Sequence, residues 1–362
     1  MTRLEAIVAL NMAGGIGSTR LNKLVEYLGS PEEILRTSRD KLTAVYGIGE
    51  KIADAIVTLK KEEIENEIDL AGKSGFKIIT IEDSGYPSNL KNIFDPPLVL
   101  YVKGELRPED SLAIGVVGSR RASFYGLSQA EKFSFELAAS GFTVISGMAR
   151  GVDTYSHKGA LKSGGRTIAV IGSGFNHVYP AENKDLSEEI SKNGAVISEF
   201  SLNTKPLPQN FPRRNRLISG MSLGVLVVEA AKNSGALITA DFALEQNREV
   251  FAIPGKIDSY TSSGTNDLIK EGAKLTTDIF DILGEFNLSP AIYKKDLVKN
   301  QEVLKNSQEE KLFNLISFQP VQLEELVGKS DFNIPEITTL LLNLQIRKLV
   351  RQLPGKQFVR CS

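Results

Sequence analysis

Cysteine occurs once, as Cys361, and histidine twice in a chain of 362 residues. That scarcity leaves no disulfide framework and no cysteine–histidine cluster at zinc-site spacing, so no metal site of that kind is expected. An excess of charge is missing too: 43 lysines and arginines face 44 aspartates and glutamates, for a formal net charge of −1. Any attraction to a polyanion must therefore come from clustered cations and not from the total. There is no long apolar span, and the first residues lack a signal-peptide arrangement, which points to a cytoplasmic protein without membrane insertion. The chain is 41% apolar, enough for a large core in two or three domains.

The first 72 residues read as a small helical domain. Two related turns, Gly15-Ile16-Gly17-Ser18 and Gly47-Ile48-Gly49-Glu50, have the helix-hairpin-helix pattern, with each isoleucine placed to plug the joint between two helices. Backbone N–H groups at such turns can receive a phosphate. Here Glu50, Asp54, Glu62, Glu63, Glu65 and Glu67 surround or follow the second turn, and their charge opposes phosphate. Packing or protein contact is the preferred reading of this segment.

From about residue 73 to 288 the texture changes to short apolar runs alternating with amphipathic stretches. The runs are Ile78-Ile79 and those at 98–102, 114–117, 143–145, 167–171, 195–197, 225–228 and 250–253. Continuous runs of this length, bounded by glycine-rich loops, predict strands buried on both faces of a mostly parallel sheet. Helices are expected at 126–139, 152–163, 183–192 and 235–246, with a short one near Asp278 to Leu283. The fold class is α/β and Rossmann-like. Residues 289–307 read as a linker. Residues 308–362 give three helical patterns and a hairpin centred on Pro354-Gly355, the order of a winged helix.

Parallel sheets place ligands beyond the carboxyl ends of their strands, and three glycine-rich loops fall there: Gly118-Ser119-Arg120, Ser146 to Asp153, and Gly172-Ser173-Gly174. Gly118 allows a close turn over an anion, Ser119 can donate to it, and Arg120 can make a forked contact. The segment from Lys205 to Arg216 adds four cations and no carboxylate. Read as a loop, it sets Lys205, Arg214 and Arg216 along a backbone, with Phe211 for base stacking and Asn210 or Asn215 for polar base contacts. That combination suits a flexible single strand better than a duplex. Arg120, Lys205 and Arg214 are the first choices for DNA contact, while Arg216 and Arg150 are expected to divide their role between fold and ligand. The arginines could also bind backbone carbonyls or Glu229.

Ser146, Asp153 and His157 carry nucleophile and proton-transfer chemistry, yet their positions alone do not make a triad, and His157 is expected to be oriented by a local partner. The glycines lack the full dinucleotide fingerprint, and no Walker lysine follows Gly118-Ser119. An enzyme acting on a nucleotide or nucleotide sugar stays open as the alternative.

Taken together, Gly118-Ser119-Arg120, the Ser146–Asp153 loop with His157, Tyr179-Pro180, Ser198-Glu199, Phe211-Pro212-Arg213-Arg214-Asn215-Arg216, Val228-Glu229-Ala230 and Pro254-Gly255 closely resemble the bacterial DNA-processing protein A (Smf) family over roughly residues 75–285. The resemblance implies a protein, not an enzyme, that protects incoming single-stranded DNA in natural transformation and helps load the RecA recombinase. It implies a homodimer, no catalytic residue, no metal and no cofactor. Its implied DNA-binding set is Gly118, Ser119, Arg120, Arg150, Lys205, Asn210, Phe211, Arg214, Asn215 and Arg216. Two positions depart from the family pattern. Asn247 stands for a common glycine at a turn, where asparagine adopts a left-handed conformation at modest cost, and Lys348 stands for another before the final hairpin.

Overall fold

The computed structural model describes residues 1–286, 307–317, 320–347 and 349–360. The expected linker lies outside the described residues except for Ser307, which begins a helix. Lys348 and Cys361 also lie outside them.

All eight predicted apolar runs are strands of one sheet: β1 (Lys77–Thr80), β2 (Val99–Gly104), β3 (Ala113–Val117), β4 (Thr143–Ser146), β5 (Thr167–Val170), β6 (Gly194–Ser198), β7 (Gly224–Val227) and β8 (Glu249–Ala252). A ninth, β9 (Lys274–Leu275), was not foreseen; two residues are too few to carry a period. The order is β1-β2-β6-β5-β4-β3-β7-β8-β9. Pairing is antiparallel for β1 with β2 and for β2 with β6, and parallel from β6 through β9. The chain builds outward from β3 in one direction through β4, β5 and β6, then returns to β7 on the other side. The crevice between the carboxyl ends of β3 and β7 is thus the topological switch point, where such sheets hold ligands.

Helices cover both faces, which is why the strands are apolar throughout. On one face Leu217, Ile218 and Met221 pack with Ala236, Ala240, Ala243 and Leu268 over the strands. On the other, Phe133 and Leu137 join Val152, Ala160, Ile282 and Leu283. The four predicted helices appear at Phe124–Ala139, Val152–Lys162, Lys184–Lys192 and Gly235–Glu245, and Ile279–Glu285 follows the capping residue Asp278. Asn247 takes the expected left-handed turn, with φ 55.

The six N-terminal helices do not form a core of their own. Ile7, Leu10, Leu24, Leu42 and Ile56 belong to the same buried cluster as Tyr101, Ile171 and Val196 of the sheet region. Ile16 and Ile48 plug their hairpin joints, being 3% and 4% exposed. The carboxylate of Asp95 lies against Gly17, where a Cβ would come within 2.0 Å of its Oδ1, so a negative charge already fills the first turn. At the second turn, Glu50 and Asp54 both pair with Arg39. The segment therefore packs against the sheet region.

The C-terminal unit has helices Ser307–Leu315, Leu323–Lys329 and Ile334–Ile346, and a sheet of β10 (Val321–Gln322), β11 (Val350–Leu353) and β12 (Gln357–Arg360) in the order β10-β12-β11. Leu312, Leu326, Ile337, Leu341, Leu344 and Phe358 form its own core. This is the winged helix. Its third helix, IPEITTLLLNLQI, carries no lysine or arginine.

Candidate nucleic-acid interface

Adjacent strands β3, β4 and β5 deliver the three glycine-rich loops to one rim, and hydrogen bonds lock the first to the second and to the chain after β7. The Ser119 N–H donates to the Glu229 carbonyl at 2.7 Å, and the Ser119 carbonyl accepts from the Val152 N–H at 3.2 Å. Gly151 permits this closeness: its φ is 76, and a Cβ there would stand 2.3 Å from the Ser119 oxygen. The Ser119 hydroxyl accepts from the Arg121 N–H at 3.1 Å, which leaves its proton to donate outward. The Glu229 carboxylate is 2% exposed and accepts from Ser123 Oγ at 2.6 Å and from the Ser123 N–H. Its partner is thus a helix-capping serine and not an arginine, a correction to one option drawn from the sequence.

The basic segment is the main correction. It is a loop only as far as Gln209; a helix runs from Asn210 to Met221. Pro212 is tolerated because the first N–H groups of a helix have no intrahelical partner. Helical geometry then sends the cations to different faces instead of along one backbone. Arg214 is 4% exposed and lies beneath the rim, donating to the carbonyls of Gly147 and Val170 and to Asn215 Oδ1. Burial lowers its pKa, and nearby Asp153 offsets part of that effect. Arg216 also turns inward, to the Asp95 carbonyl and the buried Glu199 carboxylate. Asn210 donates to the Lys205 carbonyl at 3.1 Å and Asn215 to the Gly235 carbonyl at 3.2 Å. Each amide thus has one N–H committed within the protein.

Three predicted cations remain on the outside. Arg120 and Lys205 are exposed and have no ion-pair partner among the described residues, whereas Arg150 pairs with exposed Glu182. The half-buried Phe211 ring links this rim. The Arg120 guanidinium lies 5.1 Å from its centroid and that of Arg214 5.9 Å. Gly172 makes room for the ring, since a Cβ there would come within 2.9 Å of it. Phe211 thus positions Arg120 as well as offering apolar surface. Sequence reasoning missed the buried carboxylate Glu199 as the anchor of Arg213 and Arg216.

No triad exists at the second loop. Ser146 Oγ donates to the Val116 carbonyl at 2.6 Å, while His157 Nδ1 meets Thr167 Oγ1 at 2.7 Å. Because the Thr167 hydroxyl donates to the Val144 carbonyl, His157 Nδ1 carries the proton and buried Nε2 is left bare, without a hydrogen-bond partner. The local partner expected for His157 is therefore Thr167. Burial, with Arg214 adding to it, pushes the imidazole pKa down to about 3. A base depressed in the native state stabilises it fully above the unfolded pKa of about 6.5, and that stability is lost as pH falls toward the folded value. Chemical denaturation at pH 6.5 and 5.5 should show a loss of about 1 kcal/mol that His157→Gln removes. An unchanged pH response in that variant would exclude this titration.

Residues 77–287 match the sequence profile of the DNA recombination-mediator protein A family, 301–356 its winged helix domain, and 9–58 a SAM-like tandem helix-hairpin-helix. The chain belongs to this family. The family's name describes its members as mediators of DNA recombination. Protein Smf of Escherichia coli (strain K12) is 37% identical over 317 residues, 85% of this chain and 84% of that protein. DNA processing protein A from Streptococcus pneumoniae superposes with a TM-score of 0.68 at 36% identity, covering 79% of this chain and 98% of that one. DNA processing protein A from Helicobacter pylori, solved to describe its single-stranded DNA binding mode, gives a TM-score of 0.53 at 29% identity over 59% of this chain and 97% of that one. No helix among the described residues is long and apolar enough to cross a membrane.

Proposed function

We propose that this protein binds single-stranded DNA along the rim built by Gly118, Ser119 and Arg120, the Gly147–Asp153 loop and the Lys205–Phe211 segment, and that it does so in transformation or a related recombination pathway. The observation that carries this reading is the pair of exposed cations, Arg120 and Lys205, without carboxylate partners among the described residues, on the same rim as a half-buried aromatic packed against Gly172 after β5. Such a surface attracts backbone charge and offers apolar contact without reading base edges. Phosphates bind through Gly118, Ser119, Arg120, Lys205 and, once it leaves Glu182, Arg150. Asn210, Arg214, Asn215 and Arg216 serve from beneath by holding the helix and loops in place. Membership of a family of recombination mediators supports the remaining parts: delivery of the strand to the RecA recombinase, action in the cytoplasm, and a homodimer. Two rims in one dimer would raise the effective concentration for the second contact on a strand.

Equilibrium binding to single-stranded and duplex oligonucleotides of equal length, over several salt concentrations, tests the proposal. Single strands of unrelated sequence are expected to bind alike and at least about tenfold more tightly than duplex, since only their bases are free to stack. Equal affinities across the series would reject single-strand selectivity.

A further inference from the structure

Tyr179 belongs to none of the contacts assigned so far, yet it stands on the same rim. It is 39% exposed, in the segment that follows the glycine loop of β5. Its ring lies 5.7 Å from that of Phe211, at an interplanar angle of 56°. Arg150, ion-paired with Glu182, lies within electrostatic reach of the Tyr179 phenol. The rim therefore brings four groups together: Arg120 over Phe211, Phe211 against Tyr179, and Arg150 within electrostatic reach of Tyr179.

Phe211 is half-buried and already has one guanidinium over its ring and another close by, so little of its face is left for a base. Tyr179 is the more exposed of the two rings and has no cation over it among the described residues. We propose that Tyr179 is the principal base-stacking residue of this rim, with the strand running from Arg120 past Phe211 and Tyr179 to Arg150. The inference rests on the rim being the single-strand site. In that arrangement the guanidinia at the two ends hold phosphates, the Phe211 ring fixes the first of them, and Tyr179 takes a base of any identity because every base has a π-face.

The test uses the full chain, oligothymidine carrying one 2-aminopurine, and the variants Tyr179→Ala, Tyr179→Leu and Tyr179→Phe, with Arg120→Ala alongside. Tyr179→Phe should bind as the parent does. Tyr179→Leu keeps an apolar cover over Phe211 but removes the aromatic face, so it should weaken binding about tenfold, abolish the quenching of 2-aminopurine on binding, and leave the salt dependence unchanged. Tyr179→Ala should behave like Tyr179→Leu if it folds. Parent-like affinity and quenching in Tyr179→Leu would overturn the assignment, as would a Tyr179→Phe variant as weak as Tyr179→Leu, which would make the hydroxyl the active group. If Arg120→Ala weakens binding while the Tyr179 variants do not, only the stacking role falls. If Arg120→Ala also binds normally, the rim itself is the wrong site and the inference falls with it.

Discussion

Arg214→Met is expected to lower the free energy of unfolding by about 3–5 kcal/mol, since its charged guanidinium makes two buried hydrogen bonds to main-chain carbonyls at about 1.5–3 kcal/mol each. Its side chain is sunk beneath the rim, and its guanidinium joins the ends of two strands by donating to the Gly147 and Val170 carbonyls. Methionine fills much of the volume but donates nothing, so two carbonyls and the Asn215 amide oxygen lose a partner at once. Buried Asp153, which lies within electrostatic reach of Arg214, also loses a neighbouring positive charge. Burial already raises the pKa of that carboxyl, so neutralising it in Arg214→Met/Asp153→Asn should restore part of the loss. Urea denaturation of the single and double variants measures both effects. A single-variant loss below about 1 kcal/mol would contradict the buried role. A folded Arg214→Met variant with an unchanged salt slope would show that Arg214 neutralises no phosphate. A slope reduced by the share of one phosphate contact would place it on the strand after all.

How the site divides between legible and hidden parts follows from the same residue. The strands were readable because burial on both faces requires apolar residues at every position, and eight runs stood out between glycine-rich loops. The rim was readable because glycines such as Gly151 leave a trace where two backbones meet. The helix from Asn210 to Met221 was hidden, although its inward stripe Arg214, Leu217, Ile218 and Met221 keeps helical spacing. An arginine occupies the first place in that stripe, and Pro208 and Pro212 look like loop residues unless Pro212 is recognised as lying in a first turn. The pairings were hidden for a different reason. Arg216 and Arg213 are committed to buried Glu199, and Arg150 meets exposed Glu182 in a surface pair, through chain segments that come together only in the folded protein. Composition shows that cations cluster, but not which of them a carboxylate has already taken. The N-terminal helices repeat the point: their hairpin turns were visible, while the core they share with Tyr101 and Val196 was not.

Among the predicted cations, that distinction makes the combined Arg120→Ala and Lys205→Ala substitution the decisive one for binding. Both side chains are exposed, and neither has an ion-pair partner among the described residues. Truncating them should therefore leave the unfolding transition of the protein within about 0.5 kcal/mol of the parent. Each is expected to neutralise one phosphate. For single strands each such contact contributes about 0.7 to the slope of log affinity against log salt, so the double variant should lose about 1.4 from that slope. Charge-assisted contacts contribute about 1.5–3 kcal/mol each when well formed. At an exposed rim the low end applies, which puts the loss near a hundredfold at low salt, shrinking as salt rises. Arg216→Ala supplies the contrast, because its guanidinium is spent on Glu199 and the Asp95 carbonyl and should leave the slope unchanged in whatever fraction stays folded. Salt titrations against oligothymidine, with unfolding curves for every variant, separate the two classes. An unaltered slope in the double variant, or an equal fall in slope for Arg216→Ala, would show that carboxylate pairing does not decide which cations meet the strand.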